Sequence, residues 1–194
     1  MKTPSHIIIN LAIKRIKGLR NARIPWQAVF WGSMMPDIPL GVLSLGATFY
    51  YRVILGNQSP DLMETILHPL YFNNPFWISA HNLLHAPFIL GLSLAILWRW
   101  RTRAGKVQHW LFWFFSSSTI HTGIDILTHY DDGPLIFWPF NGSFRFNSPI
   151  SYWDPAHFGT EFMIFELLLD AILVGFLLLP KIASYLYHRK DSNR

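Results

Sequence analysis

The sequence predicts an all-α fold: a polytopic membrane helical bundle of about four transmembrane helices, with a short N-terminal helix ahead of them. Three observations carry this. Only 14% of the 194 residues are charged, against about a quarter in soluble domains. Four stretches approach the roughly 20 largely apolar residues that a bilayer core demands. The basic residues gather in short clusters between those stretches instead of spreading over polar faces. With no internal repeat and no low-complexity linker, residues 1–194 read as one membrane-embedded domain. The chain has no cysteine, which excludes a disulfide framework, a zinc ribbon and a thiol nucleophile. Composition and lack of period exclude collagen, disorder and coiled coil.

The elements follow in order. Thr3 or Ser5 is placed to cap a short helix running through Ile13, with Pro4 in its first turn. The apolar run Ile7 to Ile13 is too short to span, so it is expected in the interface with Lys14, Arg15 and Lys17 at the headgroups. No small-residue cleavage site follows it, which argues against a signal peptide. Span one is Ile24 to Leu55, with Asp37 as its one acid and a local break expected at Pro36, which cannot continue the hydrogen-bond ladder. Span two, Pro75 to Trp98, carries no Asp, Glu, Lys or Arg. Span three, Val107 to Tyr130, carries only Asp125. Span four, Phe162 to Leu179, carries Glu166 and Asp170, and a short basic tail covers about 181–194. The aromatic run Phe112 to Phe115 reads as lipid-facing or packing.

Charge then sets an orientation, because positive residues accumulate on the cytoplasmic side. Lys2, Lys14, Arg15, Lys17, Arg20 and Arg23 precede the first span. Arg99, Arg101, Arg103 and Lys106 lie between the second and third, and Lys181, Arg189, Lys190 and Arg194 follow the fourth. All of these fall on one side of a four-span topology, leaving only Arg52 and Arg145 opposite. Asp61, Glu64, Asp131, Asp132, Asp154 and Glu161 also lie opposite. The expected location is therefore the inner (plasma) membrane, multi-pass, with both termini cytoplasmic. Tryptophans near both edges (Trp26, Trp98, Trp100 and Trp110; Trp77, Trp138 and Trp153) fit an aromatic belt.

Ionisable groups inside a bilayer are costly and usually functional. The third span reads His121-Thr-Gly-Ile-Asp125-Ile-Leu-Thr-His129. A spacing of four puts neighbours on one helix face about 6 Å apart, so His121 and Asp125 can share one metal ion. His121 and His129 are about 12 Å apart along the axis; two ions could serve both, with Asp125 bridging. His81 and His85 repeat the spacing, as do His157 and Glu161. Imidazole and carboxylate together suit zinc first, and also manganese or iron. The four-span topology sets His81, His85, His129, His157 and Glu161 toward the outer face and His121, Asp125 and Asp37 deeper, so an outward-opening polar pocket would unite them. Glu166 and Asp170 fall about 140° and 180° around the helix from Glu161, which suits pairing with another helix or supporting the ligands. The single His68, His109 and His188 read as core or interfacial residues.

Several blocks together resemble one family. They are Thr3-Pro-Ser-His6, Gly32-Ser-Met-Met-Pro-Asp37, His81-Asn-Leu-Leu-His85, and His121-x-x-x-Asp125 followed by Thr128 and Gly133-Pro-Leu-Ile-Phe-Trp138-Pro. Arg145-Phe-Asn-Ser-Pro-Ile150 adds a further block. The family is the bacterial inner-membrane-associated, metal-dependent hydrolase-like one, distantly similar to zinc-dependent phospholipase C and the single-strand zinc nucleases. The resemblance covers roughly residues 3 to 155, and His-x-x-x-Asp with its Trp-Pro sequel is its most specific part. It implies His6, Asp37, His85, His121 and Asp125 as metal ligands. The later His-x-x-x-Glu of the phospholipase group is matched in spacing by His157 and Glu161. The family's His-Arg-Gly-x-Thr-His is replaced here by His81-Asn-Leu-Leu-His85, without Arg-Gly. His129, with Asp131 and Asp132, would enlarge the site to a second metal.

The function expected on this reading is metal-dependent hydrolysis of a phosphoester, such as a phospholipid or lipid-linked phosphate. One to three divalent ions, zinc first, would activate water. Asp37 or Asp125 would accept its proton, Asp131 or Asp132 would orient imidazoles, and Arg145 would hold phosphate bidentately. The alternatives are a metal or proton transporter, a haem-binding bundle, or a non-catalytic membrane protein with a structural metal site. The expected partners are membrane lipids. Nucleic acid is not expected, because the basic clusters lie on the side away from the proposed mouth.

Overall fold

The computed structural model describes residues 1–16 and 23–192, with residues 181 and 183–192 described by backbone alone. Lys17, Arg20 and Arg194 of the basic clusters, and the His188 side chain, lie outside the described residues. The described chain is helical. In order come α1 (Thr3–Lys14), α2 (Trp26–Met34), α3 (Asp37–Phe49), α4 (His68–Asn73), α5 (Pro75–Asn82), α6 (Pro87–Leu97), α7 (Val107–Thr128) and α8 (Gly159–Ser192). A π-helical turn, Tyr50–Ile54, extends α3, and a second, Met63–Leu67, leads into α4. The helix α8 runs through Pro180, over the stretch read from sequence as a tail.

Two pairs of helices are single runs bent at short breaks, and proline explains each. Pro36 has no N–H to continue the ladder of α2, and α3 leaves at 42°. Pro87 pushes the residue before it out of the helical region; Ala86 is extended (φ −66°, ψ 119°) and α6 leaves α5 at 42°. The break expected at Pro36 is present, and the one at Ala86–Pro87 is its counterpart.

Among the described residues one helix, Gly159–Pro180 of α8, has the length and apolarity to cross a membrane, or three spans if each bent pair counts as one. Only 11% of its most apolar window is buried inside the bundle, so Leu167, Leu168, Ile172 and Leu179 stand exposed as lipid-facing side chains do. The expected third span, α7, is long enough at 22 residues, but it is interrupted by Ser117, Ser118, His121, Thr122 and Asp125. Those residues are buried because α2 and α6 pack along α7, so its polarity faces protein. Gly32 of α2 permits the close approach: a Cβ there would run into the Phe114 carbonyl of α7. Ser118 Oγ then donates to the Gly32 carbonyl at 2.9 Å, a small-residue contact of the kind that joins helices in membranes.

The short helix α1 does not lie apart in an interface. It packs on α2, α7 and α8 with Ser5, His6, Asn10 and Ala12 buried. Its polar residues decide this, since each needs a partner once out of water. Asn10 Nδ2 donates to Ser33 Oγ at 2.8 Å and to the Ser117 carbonyl at 3.2 Å. Ser5 Oγ donates to Asp170 at 2.7 Å, and Glu166 accepts the Lys2 N–H at 2.7 Å. The carboxylates thus sit at the positive end of α1. Glu166 and Asp170 pair with another helix, as their angular position suggested. The expected cap does not form: Lys2 occupies the N-cap position and α1 has no side-chain cap of its own.

The segment between α7 and α8 closes over the end of the bundle. Asn82 Oδ1 accepts the Leu135 N–H at 2.8 Å, Leu135 bridges Arg145, and the Tyr152 N–H reaches the Thr128 carbonyl at 2.8 Å.

Candidate metal centre

The two helix breaks and one helix face build the site. Asp37 opens α3 just past Pro36, His85 occupies the turn before Pro87, and His121 and Asp125 lie one turn apart on α7. One donor atom from each of these four lies within 4.8 Å of all the others. His85 Nε2 and His121 Nε2 are 3.1 Å apart. Asp37 Oδ1 is 3.5 Å from His85 Nε2 and 3.3 Å from His121 Nε2. Asp125 Oδ2 is 3.5 Å from His85 Nε2 and 2.9 Å from His121 Nε2. A tetrahedron with metal–ligand bonds of about 2.0–2.1 Å has edges of roughly 3.3 Å. These five edges scatter around that length, so the donor set fits a zinc-sized ion.

The ring tautomers favour the same conclusion. A backbone carbonyl only accepts, so a ring nitrogen bonded to one must carry the proton. His85 Nδ1 donates to the His81 carbonyl at 2.9 Å, and His121 Nδ1 donates to the Ser33 carbonyl at 2.8 Å. In neutral rings both Nε2 lone pairs then point into the cluster. Carbonyl anchoring of this kind orients metal-binding histidines. His85, His121 and Asp125 have side chains 1%, 0% and 6% exposed, whereas Asp37 is 33% exposed. The site therefore opens on the Asp37 side. Thr3 Oγ1 donates to the other oxygen of Asp37.

Asp125 has a second oxygen with its own neighbours. Oδ1 lies 3.0 Å from His6 Nε2, 3.6 Å from His129 Nε2 and 3.2 Å from the Met1 nitrogen. His6 is fully buried, stacks on His121 with centroids 3.7 Å apart, and neither of its ring nitrogens makes a hydrogen bond among the described residues. Placing α1 in the bundle thus brings His6 to the other candidates. His129 Nδ1 is 3.0 Å from Asp132 Oδ1, and the Trp153 indole donates to Asp132 Oδ2 at 2.9 Å. Burial pushes the Asp132 carboxyl up, but those two hydrogen bonds outweigh it and hold it below its usual range. Burial and the nearby carboxylates, Asp132 first, push the Tyr152 phenol up to about 12.

Other expected residues stand apart from this cluster. His81 stacks on His85 at 4.3 Å with both ring nitrogens buried and unbonded among the described residues; it serves the site through its carbonyl. His81 and His85 keep the contact that a spacing of four implies across the end of α5, but only His85 places a donor atom in the cluster. His157 Nδ1 pairs with Asp154 at 2.7 Å and its ring stacks on Tyr130. Glu161 is exposed in the first turn of α8. Arg145 lies over the Tyr71 and Phe72 rings, each 5.2 Å away, and its Nη1 donates to Tyr71 Oη and the Gly133 carbonyl. Sequence reasoning passed over Ser33, Thr3 and Asn82. Ser33 and Thr3 lie in the blocks that carry the resemblance, and Asn82 stands between the paired histidines.

A family model described as "YdjM inner membrane protein" matches residues 1–189. No curated protein and no solved structure matches the chain.

Proposed function

From the premise that the chain belongs to the YdjM inner membrane protein family, a bacterial inner-membrane family, we propose a metal-dependent hydrolase acting on phosphoesters at the lipid boundary. A phospholipid or lipid-linked phosphate is the substrate class. The observation that carries the metal is the pair of His85 and His121 Nε2 atoms, 3.1 Å apart and flanked by Asp37 and Asp125. Two facing lone pairs repel unless a proton or a metal cation lies between them, and the two carboxylates beside the pair favour the divalent cation. A divalent ion so held supplies Lewis acidity, lowering the pKa of water toward about 7 and polarising a phosphoryl oxygen.

The remaining roles fall to the chain. His85, His121, Asp37 and Asp125 would hold the first ion. Asp125 Oδ1, His6 and His129 would hold a second, with Asp132 fixing the His129 ring. Asp37, the exposed member, meets substrate and accepts the proton of attacking water. Arg145 keeps Nε and Nη2 for a phosphate while Nη1 anchors the loop. The support is geometric for the first ion and looser for the second. The fourfold spacing of His157 and Glu161 leaves them as ligands only if a third ion draws them in.

The test is hydrolysis of phosphoester lipids by the chain reconstituted in liposomes. Release of a phosphate-bearing product that stops with chelator, returns with zinc and is lost in Asp37→Asn supports the proposal. Turnover indifferent to chelator and to that variant contradicts it. A metal transporter is the second reading, because both bent helices break at the cluster, as helices do at transporter ion sites. It expects zinc flux into the same liposomes with no product.

A further inference from the structure

The seam between α1 and α8 changes character along its length. At one end Ser5 bonds Asp170. Beyond that bond the helices separate, leaving a wholly apolar groove of about 340 Å³. Ile9, Ala12 and Ile13 of α1, Ile16 just past its end, and Ile172, Leu173 and Phe176 of α8 line it. Its volume lies within the roughly 300–1,000 Å³ of ligand clefts. Ile9 and Ile13 stand one turn apart on α1, about 6 Å along its axis. The groove opens sideways, where Ile172 is 68% exposed on the lipid-facing helix.

A cation is fixed at its far end. Pro180 has no N–H, so the Phe176 carbonyl four residues earlier loses its helical donor. Arg15 fills that gap: its Nη1 donates to the Phe176 carbonyl at 2.9 Å and to the Leu177 carbonyl at 2.7 Å. The guanidinium carbon lies 5.5 Å over the Phe176 ring, which lines the groove. Nε and Nη2 donate to no described residue. The candidate span ends at Pro180, so this guanidinium stands near its end, where lipid headgroups lie.

We propose that the α1–α8 seam binds one anionic glycerophospholipid, with an acyl chain in the groove and the phosphate against Arg15. The apolar wall offers nothing to a polar ligand, and the fixed cation favours a lipid of net negative charge over a zwitterionic one. The site is independent of the metal chemistry. None of its lining residues belongs to the cluster.

The test uses the full chain in nanodiscs of equal phosphatidylglycerol and phosphatidylcholine, followed by detergent extraction and native mass spectrometry of retained lipid. The wild type should keep phosphatidylglycerol about fivefold enriched. Arg15→Gln should abolish the enrichment and Arg15→Lys should largely keep it. Ile172→Trp, which fills the groove from its exposed side, should release the lipid while leaving the melting temperature in detergent unchanged, which separates lost binding from lost fold. Equal retention of both lipids by the wild type, or enrichment that survives both Arg15→Gln and Ile172→Trp, overturns the proposal.

Discussion

The Nε2 atoms of His85 and His121 lie 3.1 Å apart while the Nδ1 of each ring is committed to a backbone carbonyl. The two rings come from separate helices, one from the turn before α6 and one from the middle of α7. Neutral rings so anchored cannot bond each other, because neither Nε2 carries a proton. A shared cation would resolve that arrangement and would tie together the two bent helices and the central one.

Metal removal should therefore soften the fold. Binding at a hundredfold excess over Kd contributes about 2.7 kcal/mol, which corresponds to a shift of roughly 5–10 °C in a chain of this size. Thermal unfolding in detergent should show that drop with chelator and its reversal with zinc. Rebinding should weaken as pH falls, because protons compete with the metal for the imidazole nitrogens.

Asp132 should act through His129. Asp132→Asn removes the carboxylate that orients the ring, and loss of such a support typically costs 10–100-fold in affinity or activity. The expected outcome is a loss of about that size in the second, weaker metal-binding step, with the tighter step unchanged. Titration calorimetry against zinc separates the two. Equal weakening of both steps would remove His129 from a distinct second site.

Gly32 should be intolerant of even one methyl group. In Gly32→Ala the new Cβ meets the Phe114 carbonyl, so α2 and α7 must separate. Overpacking of this sort costs about 1–3 kcal/mol. Because the next residue, Ser33, holds His121 through its carbonyl, the variant should melt earlier and bind zinc more weakly. Gly41→Ala, where a Cβ meets nothing within 4 Å, is the matched control and should change neither.

Arg145 should contribute to stability as well as to substrate binding. Arg145→Ala strips a guanidinium from the Tyr71 ring and the Gly133 carbonyl, leaving a part-buried acceptor unpaired at about 1–3 kcal/mol. Limited proteolysis should cut the 130–150 segment faster in the variant. Arg145→Lys should restore protease resistance better than it restores phosphoester turnover, because lysine cannot reproduce a bidentate contact.

The cluster residues that could be read in the sequence are those whose spacing survives folding. His121 and Asp125 sit four apart within one unbroken helix, so their shared face is arithmetic. Asp37 could be read from Pro36, since a proline beside an intramembrane acid marks a break. His81 and His85 also keep the contact their spacing implies, stacked 4.3 Å apart, but only His85 places a donor in the cluster, because spacing shows which rings are neighbours and not which nitrogen faces another helix. His6 could not be placed from spacing at all. Its position depends on α1 docking by Ser5, Asn10 and Lys2 to Asp170, Ser33 and Glu166, contacts between residues 23 to 165 positions apart that carry no local pattern. The four expected spans are not all matched for a related reason: among the described residues one helix, or three with each bent pair as one, has the length and apolarity to cross. Periodicity cannot tell a helix that faces lipid from one such as α7, whose polar residues face its neighbours.

The most direct test is elemental analysis of the detergent-purified wild type beside His121→Ala and Asp125→Ala. The wild type should carry at least one zinc-class ion per chain, and both variants should lose it while keeping their helical circular dichroism. A wild type that takes up no divalent ion from supplemented medium, or variants that keep the wild-type ion content, would contradict a shared cation at this centre.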